Sequence, residues 1–457
     1  MIDKQGNFWY NNTDCDTERR ENRKGRKDHM LTAIAGTNWG DEGKGRMVDL
    51  LSEEYDIVVR YQGGNNAGHT VINDRGEFIL NLLPSGILRE TVVNVLGNGM
   101  VIDIRHLCEE MERLTSRGVK ITPENLKISD RAIVCMPYHV MQDCAEEGRL
   151  ADKKFGSTRR GIAPVYADKY FKKGIRMVDL LELETPAFKE HLADILEWKD
   201  LTLERGYGEE KQSFETMYAH LVTYGTKLRP FICDTGVYLD QAQKAGKKIM
   251  LEAQLGALRD VDFGIYPFTS SSNTIAAYGP VGAGIPNHKL DLVIGIMKAY
   301  SSCVGEGPFT CELFGPEGDE LRQVGHEYGA ATGRPRRVGG FDVVASRYGV
   351  RMQGADVVAL TKLDTLSYLD RIPVCVAYEL NGERIENFPA SISALNEAKP
   401  VYEYLEGWKC EISDCRRFEE LPPAAQAYVQ YIERAVGTPI RYISVGAKRE
   451  QFIEVPV

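Results

Sequence analysis

The chain has 457 residues and a formal net charge of −10, with 43% hydrophobic and 27% charged residues. This composition is ordinary for a soluble globular protein with a large core, built from two or three domains or from one large α/β domain. The net negative charge excludes broad electrostatic attraction to nucleic acid or acidic membranes, so any anionic ligand must be held locally.

The sequence contains no apolar run that approaches the length of a membrane span, and its start lacks the apolar core of a secretory signal. We therefore expect a cytoplasmic protein. The ten cysteines are scattered without a CxxC pair, which favours reduced, mostly buried thiols over disulfides or a zinc site. Residues 1–29 have too little apolar content to pack, and we interpret them as a disordered polar extension ahead of a folded part at residues 30–457.

The first predicted strand is the apolar run LTAI, residues 31–34, and MVDLLSEEYD, residues 47–56, predicts a helix. Between them lies GTNWGDEGKGR, residues 36–46, whose glycines allow the backbone to approach an anion closely. These glycines are Gly36, Gly40, Gly43 and Gly45. The segment is typical of a phosphate-binding loop, although Asn38 and Gly45 break the Walker pattern GxxxxGK(S/T).

Asp41 lies in the middle of this loop, where a carboxylate would repel a bound phosphate. The arrangement is compatible with phosphate only if a metal ion bridges the two groups or if the carboxylate transfers a proton. Both interpretations predict chemistry rather than simple binding. The alternative is a tight strand-to-helix turn whose charges are solvated.

A second glycine loop, QGGNNAGHT at residues 62–70, follows the predicted strand DIVVRY at residues 56–61. Its glycine and asparagine residues again permit close backbone approach, and His69 is its only side chain that titrates near neutral pH. A single histidine can be structural or catalytic, and the loop alone does not decide between the two.

Short apolar runs continue to alternate with helical stretches along the chain. The further predicted strands are VVNVLG (92–97), LKISD (126–130), KIML (248–251), DLVIGI (291–296), DVVAL (356–360) and PVCVAY (373–378). This alternation predicts an α/β fold with a large, mostly parallel central sheet flanked by helices. Residues 185–248 have few strand-like runs, and we expect a mainly helical inserted lobe there.

The segment TGRPRR, residues 332–337, concentrates positive charge in a chain of negative net charge. The guanidinium groups of Arg334 and Arg336 can bind carboxylates or phosphates through two hydrogen bonds each. The segment therefore predicts a site for a small anionic substrate, with a solvated basic turn as the alternative.

The segment TKLD, residues 361–364, directly follows the predicted strand DVVAL and resembles the (N/T)KxD element of GTP-binding proteins. A carboxylate can accept hydrogen bonds from N1–H and the 2-amino group of guanine, whereas adenine offers an acceptor at N1 and no 2-amino group. Together with the phosphate-binding loop, this segment predicts GTP as a ligand; a solvated strand end is the alternative.

Several long motifs occur in one order and resemble the adenylosuccinate synthetase family from about residue 31 to the C-terminus. They are GTNWGDEGKGR, RYQGGNNAGHTV, LLPSGIL, GNGMVID, GSTRRGIAPVYADK, DFGIYPFTSSSNT, KAYSSCVGEGPF, ATGRPRRVGGFD, TKLD and ISVGAKR. The resemblance implies a GTP-dependent ligase of AMP biosynthesis that joins L-aspartate to IMP through a 6-phosphoryl-IMP intermediate, with GDP and phosphate as products. It also implies Mg²⁺ and a homodimer with a shared IMP site, and no nucleic acid or membrane partner.

The resemblance also implies roles for individual residues. Asp41 matches the general base that takes the N1 proton of IMP and binds Mg²⁺, His69 matches its acid partner, and Lys44 matches a catalytic cation near the phosphates. Gly68 matches a backbone carbonyl ligand of Mg²⁺. The implied GTP site is Gly40, Glu42, Gly43, Lys44, Gly45, Lys362, Asp364, Ser444 and Gly446. The implied IMP site is Asn38, Asp41, Asn66, Ala67, Gly68, His69, Thr158, Lys172, Gln254, Leu255, Ser270 and Arg334. The implied aspartate site is Thr332, Gly333, Arg334 and Arg336.

The chain departs from the family pattern at several positions, most of them around IMP and aspartate. Asn38 replaces a glutamine, Arg46 replaces a lysine, and Leu255 stands at an expected glutamine position beside Gln254. The other departures are Ser270 and Ala331 for threonines, Lys172 for an arginine that reaches IMP across the dimer, and Gly340 for a tryptophan. These changes leave the implied reaction class intact.

Two alternatives to this function stay open. A related synthetase could use GMP or dGMP in place of IMP, although the presence of Asp41 and His69 favours IMP. A GTP-dependent regulatory or binding protein would be expected to have lost the base, the acid or the arginine loop, and the sequence retains all three.

Overall fold

The structure is a computed structural model that describes residues 31–66, 68–73, 76–329, 333 and 335–456. The predicted disordered extension at residues 1–29 lies outside these residues. So do four of the site and loop positions named above, Ala67, Ala331, Thr332 and Arg334.

The strands of the described residues are numbered in chain order. They are β1 (Leu31–Gly36), β2 (Ile57–Arg60), β3 (His69–Asn73), β4 (Gly76–Leu80), β5 (Val93–Leu96), β6 (Val101–Ile102), β7 (Leu126–Ser129), β8 (Ile133–Val134), β9 (Ile232–Cys233), β10 (Ile249–Gly256), β11 (Leu292–Lys298), β12 (Ser301–Cys303), β13 (Arg337–Gly339), β14 (Phe341–Asp342), β15 (Val357–Thr361), β16 (Arg371–Leu380), β17 (Glu383–Ile385), β18 (Lys399–Glu406), β19 (Ile440–Ser444) and β20 (Phe452–Glu454).

The helices of the described residues are numbered in the same way. They are α1 (Lys44–Leu51), α2 (Ile104–Thr115), α3 (Pro137–Leu150), α4 (Ile162–Phe171), α5 (Pro186–Asp200), α6 (Phe214–His220), α7 (Thr226–Leu228), α8 (Thr235–Lys244), α9 (Gly279–Ala283), α10 (Gly315–Val324), α11 (Val343–Gln353), α12 (Ile392–Glu397) and α13 (Pro423–Val436). Shorter 3₁₀ turns occupy Ser52–Glu54, Ser85–Leu88, Ala151–Lys153, Met177–Leu181, Arg229–Phe231, Ala257–Arg259, Ala276–Tyr278, Leu363–Tyr368 and Phe418–Glu420.

Within the described part of the chain, ten strands form one central sheet in the order β20-β19-β15-β11-β1-β10-β2-β5-β7-β9. Neighbouring strands are parallel throughout, except that β19 and β20 are antiparallel. The predicted α/β fold with a mostly parallel sheet is therefore confirmed. Because β1 lies between β10 and β11, the chain passes to opposite sides of β1, and the carboxyl ends of these strands flank one crevice.

β1 is fully buried, as expected of a strand in the middle of a parallel sheet with both faces covered. Alternate residues belong to different apolar clusters: Leu31, Ala33 and Ala35 belong to one. Ile34 belongs to the other, together with Val48 of α1. The helix that follows the phosphate-binding loop is thus packed on the sheet, which fixes its amino end beside the carboxyl end of β1.

One predicted strand lies elsewhere. PVCVAY forms part of β16, which pairs antiparallel with β17 and β18 in a separate small sheet. The prediction of a strand at residues 373–378 is confirmed. The prediction that this strand belongs to the central parallel sheet is wrong. An apolar run predicts burial of a strand, and it does not identify the strand's neighbours.

Residues 185–248 contain α5, α6, α7 and α8, together with two π-helical segments at Leu201–Tyr207 and Leu221–Gly225. One short strand, β9, also lies in this range and pairs with β7 at the edge of the central sheet. The apolar side chains of α5 share a buried cluster with those of β7.

Among the described residues, no helix is both long enough and apolar enough to span a bilayer. All nine cysteines of this part of the chain are free, and five of them are buried.

Candidate active site

The predicted site residues follow the carboxyl ends of neighbouring parallel strands. The phosphate-binding loop follows β1, and Gln254 and Leu255 directly precede Gly256, the last residue of β10. Lys362 follows β15 and Ser444 ends β19. Because parallel strands bring their carboxyl ends to one edge of a sheet, four distant segments of the chain meet there.

The loop after β1 reverses direction through three residues with positive φ: Gly40 at 93°, Asp41 at 66° and Gly43 at 94°. Gly43 precedes the first residue of α1, so the free N–H groups of that helix face the loop. Aspartate is one of the few residue types, apart from glycine, that tolerate the left-handed conformation found at Asp41. The sequence therefore places the carboxylate at the turn, with its side chain about one third exposed, as its 31% accessibility shows.

Glu42 already places an anion inside the loop. Its buried carboxylate accepts hydrogen bonds from the backbone N–H of Asn38 at 3.1 Å and of Gly40 at 2.8 Å. The same carboxylate forms an ion pair with Lys44 Nζ at 2.5 Å. The loop can thus hold a negative charge with main-chain donors, and Lys44 must change partner to reach a phosphate.

The absence of a hydroxyl at position 45 has a steric reason. A Cβ on Gly45 would lie 2.8 Å from Cβ of His69, closer than two such atoms can approach. The first turn of α1 and the start of β3 are therefore in direct contact. This contact brings the phosphate-binding loop and the second glycine loop together, although β1 and β2, which they follow, are separated in the sheet by β10.

His69 is buried and oriented by a carboxylate. Its Nδ1 lies 2.7 Å from Oε1 of Glu252. The same carboxylate accepts hydrogen bonds at 2.8 Å from Ser85 N at Oε2 and from Ser85 Oγ at Oε1. A carboxylate at Nδ1 favours the tautomer with the proton on Nδ1 and leaves Nε2 for another partner. Burial lowers the pKa of His69, and the hydrogen bond to Glu252 acts in the opposite direction.

Asp41 contacts an arginine of the basic segment. Arg336 Nε lies 2.5 Å from Asp41 Oδ2, and Arg336 Nη1 lies 3.0 Å from Oε2 of the buried Glu327. Burial opposes the charge on Arg336, but the Asp41 and Glu327 carboxylates outweigh this effect and raise the pKa of the guanidinium. The structure thus brings together one residue assigned to the base and one assigned to aspartate binding.

The TKLD segment adjoins the phosphate-binding loop through its first residue. Thr361 Oγ1 donates a hydrogen bond to the backbone carbonyl of Glu42 at 2.6 Å. Asp364 Oδ1 is buried without a hydrogen-bond partner among the described residues, and burial raises the pKa of this carboxyl. A buried acceptor without a donor is the condition that a ligand with two N–H groups would relieve.

Arg46 joins this region to the C-terminal segment. Its guanidinium donates to Ser444 Oγ and, at 2.6 Å, to the carbonyl of Lys448. Ser444 Oγ lies 3.2 Å from the carbonyl of Gly446. The positive charge of Arg46 also acts on Asp364. The residues assigned to guanine recognition are therefore gathered in one region, around a residue that departs from the family pattern.

Most residues assigned to IMP lie on the other side of the loop. Gln254 Nε2 donates to the carbonyl of Gly64 at 2.6 Å, while Asn66 Oδ1 accepts from Gly64 N–H. Ser270 Oγ lies 3.1 Å from Ser272 Oγ. The first contact joins β10 to the second glycine loop, and Ser272 joins the segment after the Ala257–Arg259 turn to the same loop, because its Oγ donates to Gln62 Oε1 at 2.9 Å.

Leu255 lies in an irregular part of β10. Ile34 pairs with Glu252 and Gly36 pairs with Gly256, so β10 has two more residues than β1 between these pairs. Leu255 takes a positive φ of 57° within this bulge.

The remaining assigned residues are more dispersed. Asn38 is turned away from the loop, since its Nδ2 donates to Ser346 on α11 at 3.0 Å. Thr158 and Lys172 are exposed, with Lys172 at the carboxyl end of α4. Gly68 is exposed just before β3, and Gly333 has a positive φ of 64°.

Gly340 occupies a crowded position. A Cβ there would lie 2.7 Å from the carbonyl oxygen of Pro373, so the tryptophan of the family pattern would need a backbone shift.

Sequence reasoning missed Glu252 and Glu327, two fully buried carboxylates that orient candidate site residues. The available signal for Glu252 was a charged residue inside the apolar run IMLEAQLG. A buried strand tolerates a carboxylate only when a partner satisfies it. For Glu327 no comparable strand pattern surrounds the residue.

Comparison with known sequences agrees with the family resemblance of the motifs. The sequence model of the family Adenylosuccinate synthetase matches residues 33–453. An adenylosuccinate synthetase of Caldanaerobacter subterraneus subsp. tengcongensis is 47% identical over 423 residues, which cover 93% of this chain and 98% of the relative. One of Ligilactobacillus salivarius is 44% identical over 418 residues, covering 92% and 96% of the two chains.

Comparison with solved structures also finds a member of this family. The fully ligated adenylosuccinate synthetase from Plasmodium falciparum superposes with a TM-score of 0.87 at 38% identity, covering 93% of this chain and 99% of that one. The succinoaminodeoxyadenylate synthetase of cyanophage S-2L, bound to dGMP and dATP, has a TM-score of 0.55 at 18% identity, covering 94% and 97%. At that identity the second likeness concerns the fold alone.

Proposed function

The chain belongs to the adenylosuccinate synthetase family of ligases, and on this premise we propose that it joins L-aspartate to IMP at the expense of GTP. The proposal assigns this activity to residues 30–457. The observation that carries it is the contact of His69 with Gly45, which places a carboxylate-oriented imidazole against the phosphate-binding loop that holds Asp41.

In the proposed reaction, Asp41 takes the proton from N1 of IMP while His69, through Nε2, stabilises the negative charge that develops on the 6-oxygen. That oxygen attacks the γ-phosphate of GTP, forming 6-phosphoryl-IMP and GDP. The amine of aspartate then displaces phosphate. Phosphorylation is needed because hydroxide is a poor leaving group near neutral pH.

The residues present fit the Mg²⁺ that the family implies. The Asp41 carboxylate and the Gly68 carbonyl are oxygen donors, which this hard cation prefers. Bound there, Mg²⁺ would neutralise the phosphate charge that Asp41 would otherwise repel. Arg336 Nε pairs with Oδ2 of Asp41, so Mg²⁺ would compete with this ion pair for the carboxylate.

The proposed enzyme is a cytoplasmic homodimer of AMP biosynthesis. Two exposed aromatic residues, Tyr170 and Phe171, adjoin Lys172 at the end of α4 and form an apolar surface that a second copy could cover. Lys172 would then approach the partner's IMP site, as the resemblance implies. Light scattering of the purified protein measures this oligomeric state.

An assay of the purified protein with IMP, aspartate, GTP and Mg²⁺ tests the function, with adenylosuccinate followed by its absorbance. We expect product only when all four are present, because each supplies an atom or charge that the reaction requires. Equal turnover with GMP in place of IMP would contradict the substrate assignment. GTP binding without any product would favour a regulatory protein instead.

Asp364→Asn is expected to raise the KM for GTP by about 10- to 100-fold, since hydrogen bonds to a charged group contribute about 1.5–3 kcal/mol. The variant should use xanthosine triphosphate better than GTP, because an amide can donate to the 2-oxo group of xanthine and still accept from N1–H. Steady-state kinetics with both nucleotides measure the change.

The matched control for this experiment is Asp370→Asn. Asp370 is an exposed carboxylate shortly after the same 3₁₀ turn, paired with Lys409 on the surface. It should leave both KM values unchanged. An Asp364→Asn variant that kept its preference for GTP would show that TKLD does not read the base.

A further inference from the structure

Glu327 is a buried carboxylate that three cations share. Lys298 Nζ lies 2.7 Å from its Oε1, Arg336 Nη1 lies 3.0 Å from its Oε2, and Lys362 Nζ lies 3.7 Å from Oε1. The hydroxyl of Tyr300 also donates to Oε1. Burial raises the pKa of Glu327, but the three cations outweigh burial and hold it at about 2, so the carboxylate is ionised throughout the neutral range.

The three cations come from three different segments. Lys298 ends β11, Lys362 belongs to TKLD, and Arg336 belongs to TGRPRR. Lys362 and Arg336 each contact Glu327, and among the described residues no ion pair joins the two motifs directly. This carboxylate is therefore the shared partner of the segment assigned to guanine and the segment assigned to aspartate.

Glu327 also closes the base of the basic loop through its main chain. The N–H of Arg336 donates to the carbonyl of Glu327 at 2.9 Å, and Tyr328 pairs with Pro335 one step further along. Lys362 Nζ donates to the carbonyl of Gly325, two residues before Glu327. The TKLD lysine therefore contacts the chain at Gly325, close to where residues 327–328 pair with residues 335–336.

Burying this many charged groups adds little to the free energy of unfolding. Removing a carboxylate and its cations from water costs free energy that their attraction only partly recovers, and an apolar cluster of the same volume is often as stable. What such a network does provide is a fixed geometry, because every charge must keep its partner.

We propose that Glu327 is a positioning residue that couples the GTP and aspartate sites, so that occupation of either site strengthens binding at the other. A base held at Asp364 fixes the neighbouring Lys362, Lys362 fixes Glu327, and Glu327 fixes the guanidinium of Arg336 that would receive an aspartate carboxylate. Because coupling of equilibrium binding is reciprocal, aspartate must strengthen the binding of GTP by the same factor. The inference rests on the proposed function.

The test compares Glu327→Gln with the wild type by calorimetry and in the assay described above. For the wild type, calorimetry without IMP, so that no reaction occurs, should give a dissociation constant of aspartate that is lower by about fivefold or more with saturating GTP than without GTP, within the usual range of coupling between sites. In Glu327→Gln we expect this dependence to disappear, with the KM of aspartate raised at every GTP concentration and the KM of IMP within about twofold of the wild type. Glu327→Asp, which keeps the charge, should restore part of the coupling.

Glu312→Gln is the matched control. Glu312 pairs with Arg337, the residue next to Arg336, at 2.5 Å, and its side chain is 14% exposed. Among the described residues, Glu312 forms no ion pair with Lys362, so the coupling should survive its replacement. Loss of coupling in this variant as well would overturn the assignment to Glu327.

If Glu327→Gln does not fold, as judged by circular dichroism, Lys362→Gln tests the same link from the other end. The inference then requires that this change in the guanine motif raise the KM of aspartate as well as that of GTP. Coupling that persists in a folded Glu327→Gln variant, or an unchanged aspartate KM in Lys362→Gln, would overturn the inference and leave the proposed function intact. A wild type that forms no product would overturn both.

Discussion

Asp41→Asn and Asp41→Ala are expected to lower turnover by roughly 10² to 10⁴, the usual contribution of a positioned proton acceptor. Neither an amide nor a methyl group takes a proton from N1 of IMP, and both bind Mg²⁺ poorly. Asn also tolerates the positive φ of 66° at this position. Arg336 keeps its second partner, Glu327, in both variants, so no buried cation is left unpaired and the fold should be preserved.

Positional isotope exchange in GTP separates proton removal from the later step. With IMP present and aspartate absent, the wild type should exchange the β,γ-bridging oxygen of GTP through the 6-phosphoryl intermediate. The two variants should not, while their thermal unfolding should match that of the wild type. Normal exchange in Asp41→Ala would place the base elsewhere and contradict the central assignment.

His69→Ala should lower turnover by a similar factor, roughly 10² to 10⁴, because it removes the group that stabilises charge on the 6-oxygen. Glu252→Gln should cost less, about 10- to 100-fold, as is usual when the partner that orients a functional histidine is replaced. The imidazole is still present in this variant, but the carboxylate that holds its Nδ1 at 2.7 Å is gone.

The pH dependence distinguishes an effect of Glu252 on His69 from general damage. The hydrogen bond to Glu252 raises the pKa of His69, against the lowering by burial. Removing this hydrogen bond lowers the pKa of His69 further. An activity that needs the protonated imidazole therefore begins to fall at a lower pH than in the wild type. We therefore expect the limb of the kcat/KM profile assigned to His69 to move to lower pH in Glu252→Gln.

Ser85→Ala is the control for this change. It removes one hydrogen bond to the Glu252 carboxylate and keeps the charge beside His69. Its profile should stay close to that of the wild type. A Glu252→Gln profile that also stays in place would show that the carboxylate does not act through His69.

Elements that depend on local pattern could be predicted from the sequence. The apolar runs at residues 31–34 and 291–296 lie in β1 and β11, and the glycine loop between strand and helix takes the turn that its residues permit. The predicted helix at 47–56 is α1, which begins three residues earlier, directly after Gly43, and ends at Leu51 before a 3₁₀ turn. A glycine in left-handed conformation sets that start.

The rest depends on contacts between distant segments. His69 and Glu252 are 183 residues apart, and no spacing rule relates them. The hairpin of β3 and β4 was not predicted, although it carries His69. Likewise, Gly45 of α1 is required by the position of the His69 side chain on β3. Pairing of this kind is fixed by the packed sheet, which a single sequence does not reveal.

The central position of β1 has a consequence for synthesis of the protein. Leu31 donates to Asp291, 260 residues further along, so β1 is made long before the strand that pairs with it there. At roughly 5–20 residues per second, the wait is on the order of ten to fifty seconds on the ribosome. An apolar strand without neighbours is prone to associate with other chains during that interval. Newly made chains therefore hold β1 without its β11 neighbour until late in synthesis, and closure of the sheet at that point completes the crevice.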